Sequence, residues 1–132
     1  MLSSTSRDTE ISPALNDTPS CIAWGPNNDF LAVSSWDNQT RLYQVQGTNT
    51  QPKSTLTHDA PALCCVFSSD GSKLFSGGAD KQIRVLDMQS GQPMNFVGHS
   101  EPIKSMKWDK QHSMLVTGSW DKTIKVFSIF YF

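Results

Sequence analysis

Short apolar stretches alternate with polar turns along most of the chain. Residues 64–67, for example, are apolar and enter the turn SSDG at 68–71, after which Leu74 and Phe75 begin a second apolar stretch. The turn GGAD at 77–80 then leads into the alternating sequence QIRVLDM. Apolar runs of this length, bounded by Gly, Ser and Asp, are typical of β-strands. Since no segment keeps apolar residues at helical spacing over ten residues, the pattern predicts an all-β chain.

The pattern occurs three times at nearly constant spacing. Asp37, Asp80 and Asp121 are separated by 43 and 41 residues, and aligning them superimposes the surrounding sequences without a gap. Two columns of that alignment hold large residues throughout, namely the aromatic residues Trp24, Phe67 and Trp108 and the leucines Leu31, Leu74 and Leu115. Repetition at this period indicates that each unit is one supersecondary module.

Each unit is expected to contain four strands. In the first unit we place strands near 20–24, 30–35 and 40–45, with corresponding strands one and two repeats further on. Four strands in about 40 residues is the length of one propeller blade. The chain is therefore predicted to be a partial β-propeller of about three four-stranded blades, at about 19–57, 58–98 and 99–132, preceded by an N-terminal extension at 1–18.

The stretches VSSWDNQTRLYQ at 33–44 and TGSWDKTIKVFS at 117–128 resemble the WD repeat. The Trp-Asp pair that names the repeat ends its third strand, and the matching positions here hold Tyr43-Gln44, Leu86-Asp87 and Phe127-Ser128, so no unit keeps the complete pair there. The pairs at 36–37 and 120–121 lie earlier, in the turn between the second and third strands. They therefore differ from the naming pair by position.

The resemblance assigns a hydrogen-bond network to two of the units. In WD-repeat proteins the turn aspartate accepts a hydrogen bond from a histidine in the loop that opens the same blade, and a Ser or Thr of the second strand joins them. The matching residues are His58, Ser76 and Asp80 in the second unit and His99, Thr117 and Asp121 in the third, with 22 residues from His to Asp in both. The first unit has Leu15 and Val33 instead, so its network is expected to be absent. The role expected for these residues is structural.

Composition restricts the class of protein. The chain has 132 residues, 37% of them hydrophobic and 17% charged, which is typical of one globular domain. No apolar window has the length of a membrane span, and the N-terminus lacks the apolar core of a secretory signal. Three cysteines form no obvious disulfide framework, which is typical of a reducing compartment. The net charge of −1 is too small to indicate nucleic-acid binding by itself.

No residue pattern of an enzyme is present, so we expect a non-enzymatic protein without a cofactor, a metal or a small-molecule substrate. His58, His99 and His112 have no partner at metal-ligand spacing, and the turn aspartates recur with the repeat rather than forming a pair. The sequence also lacks a nucleophile elbow and a phosphate-binding loop. Lysines flank Trp108, but that tryptophan occupies a core column, which favours a solvated lysine face over a base-stacking surface.

The turn between the second and third strands supplies the candidates for partner binding, which are Trp36, Trp120 and Lys122. Large aromatic side chains that a rigid scaffold holds on loops are typical anchors of protein interfaces. In a propeller this turn opens on the same face as the loops that carry His58 and His99, so both tryptophans can belong to one recognition surface. The alternative is that each tryptophan packs against a loop of the neighbouring blade.

Five segments carry a more specific resemblance: DTEIS and SCIAWGP near the N-terminus, SSWDNQTRLYQVQ, HSEPIKSMKW and, most specific, TGSWDKTIK. They are similar to the first three blades of the Gle-two type of mRNA export factor, a WD-repeat family of the nuclear pore. The resemblance implies a seven-bladed propeller that binds the GLEBS hairpin of an FG nucleoporin and takes part in export of polyadenylated mRNA. It also implies a location in the nucleus, at the nuclear pore or envelope and in the cytoplasm, and contact of the complete protein with RNA or ribonucleoprotein.

Two alternative functions stay open at this point. One is the spindle-checkpoint relative, which binds a kinetochore GLEBS motif, and the other is a substrate adaptor of a ubiquitin ligase complex. The sequence departs from the family in having three units instead of seven and in ending with FSIFYF. In that family an N-terminal strand, here DTEIS, completes the last blade. With three units it has no blade to join, so residues 1 to about 18 are expected to be disordered or loosely attached, and the fragment to associate readily and bind a nucleoporin weakly.

Overall fold

The computed structural model describes residues 8–129, which form eleven β-strands and no helix. The strands are β1 (Pro19–Trp24), β2 (Phe30–Ser35), β3 (Gln39–Gln46), β4 (Asn49–Thr57), β5 (Ala62–Phe67), β6 (Lys73–Gly78), β7 (Gln82–Asp87), β8 (Pro93–Val97), β9 (Ile103–Asp109), β10 (Met114–Ser119) and β11 (Ile124–Ser128). The predicted all-β class and strand positions are confirmed. In the described part of the chain, no helix could cross a membrane.

The strands form three antiparallel sheets, one for each sequence repeat. The first two sheets have four strands in the orders β1-β2-β3-β4 and β5-β6-β7-β8, and the third has the order β11-β10-β9. The prediction of four strands in each unit is therefore confirmed for the first two blades. The third blade has three strands among the described residues. Each sheet is a meander in which consecutive strands are neighbours, as expected for short connecting turns.

The turn between the second and third strand of each blade follows from its aspartate. The carboxylates of Asp37, Asp80 and Asp121 each accept a hydrogen bond from the backbone N–H two residues further on, at 3.2, 3.2 and 2.8 Å. This Asx turn stabilises the intervening residue in the left-handed region, which explains the positive φ angles of Asn38, Lys81 and Lys122. Two of these three residues are lysines, so the local turn geometry prevails over their weak preference for this region.

The middle blade packs on both neighbours because successive side chains of a strand point to opposite faces. On one face Cys65, Leu74 and Leu86 pack against Ala32 and other residues of the first blade. On the opposite face the adjacent residues Cys64, Phe75 and Val85 belong to the core cluster that also contains Ile103 and Leu115 of the third blade. Burial on two faces is the reason that these strands are continuously apolar in sequence.

The N-terminal segment covers part of the first blade. Ile11 and Leu15 pack against a cluster of Leu31, Val33 and Tyr43, on the side of the blade that faces away from the second blade. The backbone N–H of Ser12 also donates to Thr50 Oγ1 at 3.4 Å. Residues 8–18 contain no strand, so the expected ring-closing strand DTEIS is not formed in the described part of this segment.

That the extension at residues 1 to about 18 is disordered or loosely attached stays a prediction, although Ile11 and Leu15 pack on the first blade. Within residues 8–129 no other blade covers this apolar face, and the segment removes part of the face from water. Ile22 and Trp24 on β1 remain 65% and 61% exposed, so the cover is incomplete. The part of the predicted extension at residues 1–7 lies outside the described residues.

We predict that Phe75→Ala lowers the free energy of unfolding by about 3–5 kcal/mol, because truncation of a fully buried phenyl ring leaves a cavity. Phe75 is 0% exposed and stacks on Trp108 with 5.4 Å between ring centroids. Urea denaturation followed by tryptophan fluorescence measures the change. Val97→Ala is the control, since Val97 is 71% exposed and its truncation should change stability only slightly. Equal effects of the two changes would contradict the core described above.

Candidate interaction site on the turn face

The turns between second and third strands lie beside the loops that open the blades, and together they form what we call the turn face. The backbone N–H groups of Trp36, Ala79 and Trp120 donate to the carbonyl oxygens of Thr18, Pro61 and Pro102, at 2.9, 2.8 and 3.1 Å. The donors are equivalent positions of the three repeats, and so are the acceptors. Each turn is therefore fastened to its loop in the same way.

The side chains assigned to the second-unit network are brought together. His58 Nδ1 lies 2.9 Å from Asp80 Oδ1, and His58 Nε2 lies 2.8 Å from Ser76 Oγ. Since a carboxylate only accepts, Nδ1–H donates to Asp80, and Nε2 of the neutral ring accepts from the Ser76 hydroxyl. The second carboxylate oxygen of Asp80 accepts from the backbone N–H of Asp59 at 3.0 Å.

The third blade has the same arrangement. His99 Nδ1 lies 2.8 Å from Asp121 Oδ2, and His99 Nε2 lies 2.7 Å from Thr117 Oγ1. The backbone N–H of Ser100 donates to the same carboxylate oxygen at 3.2 Å. His99 and Thr117 are almost completely buried, at 2% and 1% exposure. The geometry is that of an internal support beneath the turn face, which agrees with a structural role for these six residues.

The electrostatics of the second-blade network favour a neutral histidine beside a carboxylate. Burial lowers the pKa of His58 by more than its hydrogen bond to Asp80 raises it. Burial also acts to raise the pKa of Asp80, but hydrogen bonds from the Asp59 N–H and from His58 outweigh it and keep this pKa below its usual value. For Asp121, hydrogen bonds led by that from Thr123 lower the pKa in the same direction.

The first blade lacks the histidine and the hydroxyl group of the network but keeps the backbone hydrogen bond to its turn aspartate. Asp37 accepts a hydrogen bond from the backbone N–H of Asn16 at 3.1 Å, at the position equivalent to Asp59 and Ser100. In place of the histidine, Arg41 forms an ion pair with Asp37 at 2.7 Å. The aspartate thus fastens the loop even where Leu15 replaces the histidine, because the backbone donor does not depend on the side chain.

Thr40 is a network residue that the sequence analysis missed. Its hydroxyl oxygen lies 2.6 Å from Ser76 Oγ, and both side chains are fully buried. Because Ser76 donates to His58, the Thr40 hydroxyl donates to Ser76, and the network crosses from the second blade to the first. The position of the naming tryptophan in this blade holds Leu86, whose side chain has no donor, and this was the signal available in the sequence.

A β-bulge occurs at the same position of each inner strand. The register shifts between Pro19 and Cys21, between Ala62 and Cys64, and opposite Gly118 and Ser119, where β9 has one extra residue. The extra residues are Ser20, Leu63 and Lys104, which the repeat alignment places in one column. Bulges redirect side chains and are common beside functional sites. Here they supply one row of side chains to the turn face.

These side chains and the turn residues line one groove of about 350 Å³. The lining residues are Ser20, Trp36, Pro61, Leu63, Ala79, Lys104 and Trp120. Trp36 and Trp120 are 50% and 63% exposed and belong to the first and third blades, whereas the equivalent position of the second blade holds Ala79. The small residue between two large ones opens a mostly apolar groove with aromatic side chains on both sides.

The groove brings together two of the three predicted partner-binding residues. Lys122 is exposed on the same turn as Trp120 but is not among the residues lining the groove. The charged residue that does line it is Lys104, which the sequence analysis placed on a solvated lysine face. Its side chain reaches the groove because of the β9 bulge, which leaves no Gly or Pro signal in the sequence.

The remaining candidate chemistry is limited. Among residues 8–129, no group of three His, Cys, Asp or Glu side chains could hold a metal ion. His112 pairs with Asp109 at 2.7 Å on an exposed turn, apart from the two networks. The arrangement can therefore present a mostly apolar binding surface.

Comparison with known proteins agrees with the fold. The family described as WD domain, G-beta repeat matches residues 15–44, 50–87 and 91–128, and the chain belongs to this family. Among solved structures, U3-55K aligns with 91% of this chain and 38% of that chain, with a TM-score of 0.81 and 21% identity, and the WD40 repeats of RRP9 align equally well. These structures share the fold of the protein.

Curated relatives are closer in sequence. The mRNA export factor GLE2 of Chaetomium thermophilum is 42% identical over 89% of this chain, and Protein Rae1 of Drosophila melanogaster is 38% identical over 89%. The Poly(A)+ RNA export protein of Schizosaccharomyces pombe is 35% identical over 93%. The chain spans about a third of these relatives, namely 35%, 36% and 36% of their lengths. It is thus similar to a part of a Gle2-type protein.

We predict that Asp80→Ala destabilises the fold by about 1–3 kcal/mol, because it leaves the buried His58 and the Asp59 N–H without their acceptor. Asp109→Ala is the matched control, since it removes the same type of pair from an exposed turn and should change stability less. Thermal unfolding monitored by circular dichroism compares the two variants. An Asp80→Ala variant as stable as the Asp109→Ala variant would contradict a structural role.

The chain is also predicted to lose stability on acidification below about pH 6.5, the usual pKa of histidine. Because the folded-state pKa of His58 is lowered, the unfolded chain takes up the proton first, and stability falls by at most about 1.4 kcal/mol per pH unit for this group. Urea midpoints between pH 7 and pH 5 test this dependence. His58→Gln should flatten it, and equal slopes in the unchanged and variant proteins would contradict the assignment.

Proposed function

We propose that the protein is a non-enzymatic interaction scaffold of mRNA export, in which the turn face receives a segment of a protein partner. Relatives at 35–42% identity are named as mRNA export factors or RNA export proteins, which supports the pathway. The groove between Trp36 and Trp120 is the observation that carries the mode of action. On this proposal the protein works at the nuclear pore and moves between nucleus and cytoplasm.

The groove has the properties of an interface anchor site. Its walls are two half-exposed indole rings and its floor includes Leu63, Pro61 and Ala79, so an entering apolar side chain would leave water on several sides. Indole rings bury a large area at a small cost in conformational entropy, which is why tryptophan is enriched among binding hot spots. The backbone hydrogen bonds of Trp36 and Trp120 to the opening loops hold the main chain that carries both rings.

Lys104 adds a positive charge to the mostly apolar groove. It is the one charged residue among those that line the groove, and it is exposed. A partner segment with a bulky apolar residue beside a carboxylate would therefore satisfy both the aromatic walls and the ammonium group. Lys122, exposed beside Trp120, is a second cation for the same segment.

The partner that we propose is the GLEBS hairpin of an FG nucleoporin. Support comes from the sequence similarity to Gle2-type factors together with the extended, apolar shape of the groove. Contacts with RNA or ribonucleoprotein would then be made by the assembled complex. A kinetochore GLEBS motif is a partner of the same chemical kind, and direct comparison of the two hairpins in the experiment below separates the two functions.

In a chain of the full length of the relatives, Trp36→Ala and Trp120→Ala are each expected to weaken binding of a GLEBS hairpin peptide by about tenfold or more, as loss of a hot-spot side chain does. Ala79→Trp should weaken binding similarly, because a third indole would occupy the space between the other two. Fluorescence anisotropy with the labelled nucleoporin hairpin measures affinity, and the kinetochore hairpin is titrated in parallel.

Trp24→Ala is the matched control for these variants, since Trp24 is also exposed but lies on β1 outside the groove. It should bind as the unchanged protein does. Melting temperatures of the turn variants should stay near that of the unchanged protein. Losses of stability equal to the losses of binding would instead support packing of each tryptophan against a neighbouring loop, and tighter binding of the kinetochore hairpin would favour the checkpoint function.

A further inference from the structure

Two cysteines from neighbouring blades face each other across the inner strands. Cys21 lies on β1 and Cys65 on β5, and the Cys21 Sγ is 3.7 Å from the carbonyl oxygen of Cys65. The contact is reciprocal, because the Cys65 Sγ is 3.9 Å from the carbonyl oxygen of Cys21. Each sulfur thus lies over the backbone of the other residue.

The environments of the two thiols differ. Cys21 is partly exposed, whereas Cys65 is 4% exposed and packs in the core between the first two blades. The hydrogen bond from the Cys65 thiol lowers the pKa of Cys21 against the effect of its burial, and the ammonium groups of Lys107 and Lys104 act in the same direction. The same pairing raises the pKa of Cys65, which keeps that sulfur protonated. A reachable thiolate beside a protonated thiol is the arrangement found in peroxide-sensitive cysteine pairs.

The third cysteine does not take part in this pair. Cys64 points to the opposite face of β5, where its Sγ lies 3.8 Å from the carbonyl oxygen of Gly77 and 3.7 Å from that of Ile103. It is buried in the core between the second and third blades, and burial raises its pKa to about 12. Cys64 therefore provides an internal reference of the same residue type, next to Cys65 in sequence.

We propose that Cys21 and Cys65 form a peroxide-responsive pair that closes into a disulfide between the first and second blades. In the first step the Cys21 thiolate attacks hydrogen peroxide, the O–O bond breaks, and Cys21 sulfenic acid and hydroxide are formed. In the second step the Cys65 sulfur displaces the sulfenic hydroxyl group, and the Cys65 proton leaves with it as water. Two thiols and one peroxide thus yield one disulfide and two waters, with the thiols oxidised and the peroxide reduced.

The disulfide would act on the arrangement of the blades. It would join two cysteines that are 44 residues apart in sequence, on strands that otherwise meet through side-chain contacts, the hydrogen bond from the Ser20 hydroxyl to the carbonyl oxygen of Ala62, and weak thiol hydrogen bonds. A cross-link of this kind reduces the freedom of the unfolded chain and limits separation of the first two blades. Since Ser20 beside Cys21 lines the groove, the cross-link would also fix the first-blade side of the groove relative to Ala79. The inference does not depend on the identity of the partner.

The test is oxidation of the 132-residue chain with hydrogen peroxide, followed by alkylation of free thiols and peptide mapping by mass spectrometry without reduction. We expect one intramolecular peptide pair linked through Cys21 and Cys65, with Cys64 alkylated after the chain is unfolded. Dithiothreitol should reverse the link. The oxidised chain should melt at a higher temperature than the reduced chain. In the reduced, folded chain, iodoacetamide should modify Cys21 at least about tenfold faster than Cys64, as expected for an exposed thiolate against a buried thiol.

Variants distinguish the role of Cys21, which peroxide oxidises first, from that of Cys65, which closes the disulfide. Cys65→Ser should stop the reaction at Cys21 sulfenic acid, which dimedone traps, whereas Cys21→Ser should give neither a disulfide nor a dimedone adduct. Cys64→Ser is the matched control and should oxidise like the unchanged chain. Cys65→Ala serves in place of Cys65→Ser if a buried hydroxyl prevents folding, as judged by circular dichroism. A disulfide that includes Cys64, links that form only between molecules, or no link while the chain stays folded would each overturn the proposal.

Discussion

The turn aspartate of each repeat is the residue on which the rest of this structure depends. One carboxylate holds the turn between the second and third strands and also binds the loop that opens the blade, so two segments about 21 residues apart are fixed by one side chain. The arrangement persists where the histidine is replaced, as Asp37 shows. It places the residue before each aspartate on the turn face, with its N–H bonded to the opening loop.

The shape of the proposed binding groove comes from positions at which the three repeats carry different side chains. The position before the aspartate is Trp in the first and third blades and Ala in the second, and the bulge position is Ser, Leu and Lys in turn. Identical backbone geometry brings these unequal side chains to one row, so their differences in size become the shape of the groove. A tryptophan in all three blades would fill the row, and an alanine in all three would leave no aromatic walls.

The sequence predicts the strands well because each apolar run ends at a turn with its own chemistry. The opposite directions of Cys64 and Cys65 follow from strand alternation alone. The bulges could not be predicted, since Ser20, Leu63 and Lys104 carry no conformational signal and are defined only by pairing with the next strand. The bond from Thr40 to Ser76 joins two blades, so it depends on their packing and not on local sequence. The cover formed by Ile11 and Leu15 likewise depends on which apolar face lacks a neighbour.

Both blade interfaces combine an apolar cluster with hydrogen bonds, but the hydrogen bonds occupy different positions. Between the first and second blades, the Ser20 hydroxyl donates to the carbonyl oxygen of Ala62 at 2.6 Å, and the Thr40 hydroxyl donates to Ser76. At the position of Thr40 the second blade has Ile83, which is buried in the apolar cluster facing the third blade, so Thr117 has no corresponding donor. The second and third blades are instead joined by the Trp108 Nε1–H, which donates to Ser69 Oγ at 3.1 Å. Because hydrogen bonds are directional and apolar contacts are not, each interface has specific donor and acceptor atoms that restrict the angle between its blades.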